Sequence, residues 1–305
     1  MNQISGNKKK LIASLHGGAG NQLFQYAYAR ALSLRLNRHL IFDQYGFRFD
    51  KKFKRSFILD SFDLPKGVCN EVCGFRFQIA RALRRFNLFG CLLISFFRLP
   101  FLIEFPPING SKNLTNDFSE ELYVFGYWQD ENYFEEYSDQ IRKDLTFKSN
   151  FSKANLVVAT EIKGCSTPIS IHVRRLHQVG ASEKQVPKPQ NRSYYYSVGH
   201  DYYTKAITFL EEKFPDAKFF VFSDFPEWAR QNVFSNNSIF YLESGRGSDL
   251  EDLSLMSLCK HHVIANSSFS WWGAWLAEPK DHIVIAPKSA PLMPKIPARW
   301  LTIDL

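Results

Sequence analysis

The sequence has few cysteines, and they lack the spacing that a metal site needs. Five cysteines occur in 305 residues, an odd and scattered set. This favours reduced thiols in a cytosolic protein. Cys69 and Cys73 lie one helical turn apart without a second pair, so buried apolar roles are favoured over a structural zinc. We expect no bound metal.

Signals for secretion or membrane insertion are also missing. The polar, basic start of the chain leads to a short apolar stretch ending at Gly17-Gly18, with no cleavage site after it. The segment from Phe86 to Phe105 is rich in Leu, Ile and Phe, but Arg98 and Pro100 interrupt it, which a spanning helix tolerates badly. We expect a buried helical pair there, with a membrane-surface patch as the alternative. A cytoplasmic protein is predicted, with peripheral attachment to the inner membrane left open.

The balance of charge points to an anionic partner. The formal net charge is +8 and the pI about 9.1, which would suit nucleic acid, an anionic membrane surface or phosphorylated small molecules. Zinc-finger spacing, an RNA-binding aromatic signature and a basic-zipper pattern are all lacking. Nucleic acid is therefore the least favoured partner, and we expect none.

The order of apolar segments predicts an α/β protein with two domains. A strand over Lys10–Leu15, a glycine turn, a helix that Asn21 caps and a strand over His39–Phe42 form the start of an open α/β sheet. The second half alternates strands and helices as a Rossmann-like domain does. Its predicted strands are 168–173, 218–223, 262–265 and 282–286, and its predicted helices are 202–214, 249–259 and 270–276. The predicted domains are 1–150 and 151–305.

Polar residues follow several predicted strands, where open α/β sheets bind ligands. In the first such segment, Gly17 to Gln22, Gly18 and Gly20 would let a ligand approach the backbone, and the following helix N-terminus favours an anion. A simple tight turn explains this segment equally well.

The segment His172-Val173-Arg174-Arg175 ends a predicted buried strand. Strand alternation places His172 and Arg174 on one face. Adjacent arginines at such a position are costly unless an anion meets them, and a diphosphate suits the planar guanidinium. An interdomain salt bridge to a carboxylate is the alternative.

Two further segments have the same placement. Asp224 would either accept a hydrogen bond from a base edge or cap the next helix. Asn266, Ser267, Ser268 and Phe269 open a helix after a strand, which predicts a phosphate site. Of Trp271 and Trp272, at least one is expected in the core. No Asp-x-Asp occurs in the sequence, which suggests that arginines rather than a metal neutralise a leaving diphosphate.

Taken together, these segments resemble the bacterial α1,2-fucosyltransferases of glycosyltransferase family 11. The resemblance covers nearly the whole chain, and its strongest parts are listed here in order: GGAGNQLFQYAYAR from Gly17, Gly126-Tyr127-Trp128-Gln129, His172–Arg175, Asp201–Ile207, Phe222–Asp224 and NSSFSWWGAWL from Asn266. It implies a GT-B fold, with two Rossmann-like domains facing a donor cleft: residues 1–150 would form the acceptor-side domain and residues 151–305 the GDP-sugar-binding domain. It also implies inverting, metal-independent transfer of L-fucose from GDP-β-L-fucose to the 2-hydroxyl of a β-galactoside. The acceptor would be a galactose-terminated oligosaccharide or surface polysaccharide repeat.

The resemblance also implies residue roles. Arg174 would hold the β-phosphate and His172 would help to bind the nucleoside, with Arg175 included in the donor site. Ser267 and Ser268 would contact phosphates, and Asn21 would be catalytically important. His261, which precedes the Asn-Ser-Ser segment, is the candidate for contact with guanine.

One departure from the family pattern bears on the mechanism. The family usually continues His-x-Arg-Arg with Gly-Asp-Tyr, whereas Leu176-His177-Gln178 stand here. His177 is therefore a candidate catalytic base, because imidazole titrates near neutral pH. Alternatively, the acceptor hydroxyl loses its proton late and needs no strong base. This departure keeps two other interpretations open: a fucosyltransferase of another linkage, such as α1,6, and a non-catalytic GDP-sugar-binding homologue.

Overall fold

A computed structural model describes the chain over residues 9–51, 54–65, 69–70, 101–104, 120–148, 151–175, 198–243, 245–277, 281–288 and 294–304. The chain divides into two compact units, Met1–Lys148 and Ser149–Leu305, which we call the first and second units. The sequence analysis places this boundary after residue 150.

The first unit contains a parallel five-stranded sheet. Its strands are β1 (Lys10–Ser14), β2 (His39–Asp43), β3 (Cys69–Asn70), β4 (Phe101–Glu104) and β5 (Glu121–Phe125), in the order β3-β2-β1-β5-β4. The α-helices among its described residues are α1 (Ala19–Arg35) and α2 (Ser138–Asp144). All strand pairs are parallel, so the carboxyl ends of the strands lie along one edge.

Helix α1 begins earlier than the sequence analysis predicts. Gly18 occupies the N-cap position with extended backbone, and Asn21 lies inside the first turn. The prediction that Asn21 caps this helix is therefore wrong. Its side-chain oxygen instead accepts a hydrogen bond from Gln129 Nε2 at 2.8 Å.

A buried carboxylate connects α1 to α2. Asp144 Oδ2 accepts hydrogen bonds from Tyr26 Oη and Arg30 Nε, each at 2.8 Å, and Gln140 Nε2 donates to Asp144 Oδ1 at 2.8 Å. Burial, followed by the negative charge of Asp144, raises the pKa of Tyr26 well above its usual value. Tyr26 therefore remains a hydrogen-bond donor.

The second unit contains a parallel six-stranded sheet with helices between its strands. The strands are β6 (Pro168–Val173), β7 (Lys218–Ser223), β8 (Ser238–Tyr241), β9 (His261–Val263), β10 (Val284–Pro287) and β11 (Leu301–Ile303), in the order β11-β10-β9-β6-β7-β8. The helices are α3 (Lys153–Gly164), α4 (His200–Lys213), α5 (Pro226–Asn232), α6 (Asp249–Ser257) and α7 (Ser268–Leu276). Every residue of β6 is buried, as expected for the centre of a sheet covered on both faces.

Two apolar layers cover the second sheet. One contains Tyr202, Tyr203 and Leu210 of α4 against Ile169 and Val221. The other is built from α3 and α6 against β7, and includes Ile162, Leu255 and Phe222. This is the layered arrangement of a Rossmann-like domain.

The apolar segment 86–105 falls mostly outside the described residues. Residues 101–104 form strand β4, so the helical prediction is wrong for that part. Among the described residues, no helix is both long and apolar enough to cross a membrane.

Candidate functional site

The second sheet has a switch point between β6 and β9. These neighbouring parallel strands lead to connections that run in opposite directions along the sheet. Ligands bind at such points, outside the carboxyl ends of the strands. Arg174 follows β6 there, Asp224 follows β7, and Asn266 lies three residues beyond the end of β9.

Asp224 holds the Arg174 side chain at this edge. Arg174 Nη1 lies 2.9 Å from Asp224 Oδ2, and the backbone N–H of Arg175 donates to Asp224 Oδ1 at 2.8 Å. The prediction that Asp224 caps the next helix is wrong, because Phe225 occupies that N-cap position without a side-chain bond. The carboxylate that pairs with Arg174 belongs to the same unit.

The two arginines of the motif have different surroundings. Arg174 keeps 32% of its side-chain surface exposed. Arg175 is buried, with its guanidinium carbon 4.1 Å from the centre of the Trp228 ring and its Nη1 donating to the Val198 carbonyl at 3.2 Å. Arg175 is therefore packed into the second unit, and its place in the donor site stays a prediction. Arg174 alone of the pair presents a cation at the sheet edge.

His172 and Phe269 bring β6 and α7 together. The His172 side chain is buried, and its ring centroid lies 5.6 Å from that of Phe269 in the first turn of α7. Tyr203 Oη donates to the His172 carbonyl at 3.1 Å. Residues from two separate sequence motifs thus meet beside the switch point.

The start of α7 forms the other side of this edge. Ser267 is the N-cap and accepts from the Phe269 N–H at 3.3 Å, while Ser270 Oγ donates to the Ser267 carbonyl at 3.3 Å. The positive end of the helix dipole and the first-turn amides favour an anion here. Asn266 is buried and Ser268 is half-buried.

The tryptophans of this helix serve the core. Trp271, Trp272 and Trp275 are each at most 1% exposed. Trp271 and Trp272 pack edge to face, with ring centroids 5.2 Å apart. Both residues of the pair are therefore core residues, as the sequence analysis expects of at least one.

His261 lies away from the other predicted site residues. It begins β9, whereas the ligand edge lies at the other end of that strand. Its ring stacks on Phe214 at 4.4 Å, and its Nδ1 accepts from the Ile283 N–H at 2.9 Å. Burial, with the positive charge of Lys260 second, lowers the pKa of His261 to about 4. This placement corrects the prediction of guanine contact and makes His261 a neutral core residue.

The carboxyl edge of the first sheet has its own polar residues. Gly17 has a φ of +85°, and a Cβ there would lie 2.7 Å from Asn21 Nδ2, so glycine is required. Gly18 has ordinary extended backbone, and Gly20 is buried in the first turn of α1. Gln129, whose role the sequence analysis missed, fixes the Asn21 amide.

Two further predictions concern His177 as a catalytic base and the absence of a bound metal. His177 lies outside the described residues. Among the residues that are described, no three His, Cys, Asp or Glu side chains group as metal ligands.

Comparison with known proteins supports a single family. The sequence profile of Glycosyl transferase family 11 matches residues 109–296. An Alpha-1,2-colitosyltransferase from Escherichia coli is 32% identical over 285 residues, which cover 91% of each chain. The O-antigen biosynthesis glycosyltransferase WbnK from Escherichia coli is 30% identical over 298 residues, covering 91% of this chain and 94% of that one.

Solved structures of fucosyltransferases share the fold. The fucosyltransferase NodZ from Bradyrhizobium superposes with a TM-score of 0.51 at 16% identity, covering 87% of this chain and 92% of that one. An Arabidopsis thaliana FUT1 variant in complex with GDP gives 0.54 at 13% identity, covering 90% and 70%. The predicted GT-B fold, with two Rossmann-like units, is confirmed. With this fold, the family profile and two relatives matched over most of their length, the chain belongs to glycosyl transferase family 11 and is a glycosyltransferase.

Proposed function

We propose that this glycosyltransferase moves L-fucose, or a sugar of the same stereochemistry, from a GDP-linked donor to the 2-hydroxyl of a β-galactoside. The observation that carries the proposal is Arg174, a partly exposed cation that Asp224 holds at the switch point of the second sheet. A nucleoside diphosphate is the leaving group whose charge this position would meet.

The expected chemistry is a single displacement with inversion. The acceptor oxygen forms a bond to the anomeric carbon as the bond from that carbon to the β-phosphate oxygen breaks. Negative charge then grows on the diphosphate. Arg174 and the first-turn amides of α7 would stabilise it, and fixed groups of this kind need no rearrangement during the reaction.

The donor-binding roles follow from the same edge. His172, buried against Phe269, is proposed to border the nucleoside, and Ser267 and Ser268 the phosphates. Asp224 would keep the Arg174 guanidinium oriented. A guanidinium that is already held by a carboxylate loses less conformational entropy when it binds a phosphate. The acceptor hydroxyl is expected to lose its proton late, with His177 as the alternative base.

The relatives support the linkage and leave two donors to distinguish. One relative is named an Alpha-1,2-colitosyltransferase, and another is named for O-antigen biosynthesis. Colitose is L-fucose without its 3-hydroxyl, so the same diphosphate-binding groups would serve GDP-fucose and GDP-colitose. A hydrogen bond to that hydroxyl decides the preference, because a site built to bind a hydroxyl discriminates strongly against its absence.

A donor and acceptor panel tests this function. GDP-fucose and GDP-colitose are each incubated with lactose, N-acetyllactosamine and methyl β-D-galactopyranoside, and donor consumption and product linkage are measured. An α1,2-linked product from either donor supports the proposal. A product of α1,6 or other linkage would refute the acceptor position, and donor binding without turnover on any acceptor would favour a non-catalytic homologue.

A further inference from the structure

Aromatic rings from two strand ends meet at the carboxyl edge of the first sheet. His16 follows β1, and its ring stacks on Phe125, the last residue of β5, with centroids 4.8 Å apart and planes 17° apart. The Tyr127 ring also contacts His16, with ring centroids 4.8 Å apart and ring planes at 58°. We call His16, Phe125 and Tyr127 the aromatic platform.

The turn after β5 holds Tyr127 outward by burying its neighbour. Trp128 is fully buried and stacks on Tyr28 with centroids 4.2 Å apart. Its backbone has a φ of +43°, a left-handed conformation that is unfavourable for a bulky residue. Tyr127 is 40% exposed. Strained backbone persists where the surroundings enforce it and often marks a functional site, and here it sets the position of an exposed ring.

Amide groups fix the platform and lie along the same edge. Gln25 is fully buried, its Oε1 accepts the His16 backbone N–H at 3.0 Å, and its Nε2 lies 3.3 Å from each ring nitrogen of His16. Gln129, two residues beyond Tyr127, donates to Asn21 at 2.8 Å. The rings therefore have a defined orientation before any ligand arrives.

The platform lies where an open sheet binds ligands. β1 and β5 are neighbouring parallel strands, and the chain continues from β1 to β2 on the side away from β5. The platform therefore lies at the carboxyl ends of two adjacent strands, where open parallel sheets bind ligands. An exposed aromatic face beside amides matches a neutral polyhydroxylated ring, whose C–H face packs on the aromatic ring while its hydroxyls meet polar groups.

We propose that the aromatic platform is a carbohydrate subsite that binds a pyranose ring of the acceptor, with Tyr127 as its contact residue. The inference rests on the proposed function for the identity of the sugar as acceptor. The platform itself is a property of the first unit alone, so its binding of sugar is testable without turnover.

The test combines sugar binding with kinetics. Saturation-transfer NMR is recorded for methyl β-D-galactopyranoside and lactose with the full chain, and with Tyr127→Ala, Tyr127→Gln and Tyr127→Phe. Phe240→Ala is the matched control, because Phe240 is also 40% exposed but lies on β8 of the second unit. Thermal melting checks that each variant is folded, and Tyr127→Gln supplies the result if Tyr127→Ala is not.

The expected result is selective for the acceptor. Tyr127→Ala and Tyr127→Gln should lose the saturation-transfer signal and raise the acceptor KM by about tenfold or more, as loss of a central aromatic contact does. The donor KM should change by less than about twofold, and Tyr127→Phe and Phe240→Ala should resemble the parent chain, since neither removes the stacked ring.

The failures of the two proposals are distinguishable. If the chain transfers sugar while folded Tyr127 variants keep the acceptor KM and the NMR signal, the platform is overturned and the proposed function stands. Absence of sugar binding by the parent chain also overturns the platform. If galactosides bind through Tyr127 but no donor is consumed, the platform stands and the proposed function fails.

Discussion

Adjacent residues of the same type have unlike environments in this protein. Arg174 and Arg175 are neighbours in sequence, yet one meets Asp224 at the surface and the other lies buried on Trp228. Strand alternation predicts that their side chains point to opposite faces. It does not predict which face is covered, because that depends on where α5 places Trp228.

The two glycines after β1 give a residue-scale prediction. Gly17→Ala should destabilise the first unit by about 1 kcal/mol or more, because it places Ala at positive φ against Asn21. At Gly18 the added methyl meets nothing within 4 Å among the described residues, and the backbone φ of −76° suits alanine. Gly18→Ala should therefore melt like the parent chain.

The activity of Gly18→Ala then distinguishes a turn that binds a ligand from a simple tight turn. If a ligand approaches the backbone here, Gly18→Ala should lower kcat/KM by about tenfold or more despite normal stability. Steady-state kinetics and thermal melting measured on the same preparation check this. Full activity in Gly18→Ala would leave the simple turn as the explanation of these glycines.

At the scale of elements, strands buried on both sides were the most predictable. The bounds 168–173 and 218–223 agree with β6 and β7. The apolar run of β7 is typical of a central parallel strand, and β6 is recognisable by its isoleucines and valine although Ser170 and His172 interrupt them. Strand β8 was not predicted. Its residues at the sheet edge alternate between exposed and half-buried, so the sequence there lacks the run of buried residues that marks a central strand. The prediction that Asn21 caps α1 failed because the helix begins earlier, with Gly18 at the N-cap position.

The candidate site was predictable where it lies at strand ends. Arg174 and the start of α7 could be placed from strand and helix periodicity alone. The pairing of Arg174 with Asp224 and the contact of the His172 ring with Phe269 could not, since both depend on contacts between distant parts of the chain. The left-handed backbone of Trp128 carries no local signal, and its ring packs on Tyr28, which is distant in the sequence.

The contact between α1 and α2 gives a prediction at this scale. Asp144→Ala should lower the free energy of unfolding of the first unit by about 3–5 kcal/mol, because Arg30 and Tyr26 would lose a buried charged acceptor. Urea unfolding measures this. Asp139→Ala, an exposed carboxylate on the same helix, is the control and should cost about 1 kcal/mol or less. Equal costs would show that the Asp144 contacts contribute little.

At the scale of the whole molecule, buried histidines predict sensitivity to acid. Burial lowers the pKa of His261 to about 4, and that of His262 is also well below its usual value, chiefly through burial and then through His282. In the unfolded chain both titrate near their ordinary value of about 6.5. Between that pH and about 4, the unfolded chain binds protons that the folded chain does not, so stability falls as pH falls.

The slope of stability against pH tests this linkage. Each such histidine contributes up to about 1.4 kcal/mol per pH unit within the window. Denaturation at pH 7, 6 and 5 should show a smaller loss in His262→Gln than in the parent chain. The same slope in His262→Gln and in the parent chain would contradict the assignment.

Independence from metal is a second prediction at this scale. The proposed leaving-group stabilisation uses Arg174 and helix amides, so transfer should proceed equally with added Mg²⁺ and with excess EDTA. Initial rates under both conditions test it. Strict dependence on added Mn²⁺ would show that a metal supplies part of the charge.

The central claim is that Arg174 stabilises the departing diphosphate. Arg174→Ala is compared with Arg230→Ala, because Arg230 lies in the same unit, pairs with Glu243 and has the same side-chain exposure of 32%. With the preferred donor and acceptor, Arg174→Ala should lower kcat by about 10²–10³-fold while keeping the melting temperature, and Arg230→Ala should change kcat little. Near-normal turnover in a folded Arg174→Ala variant would contradict the account.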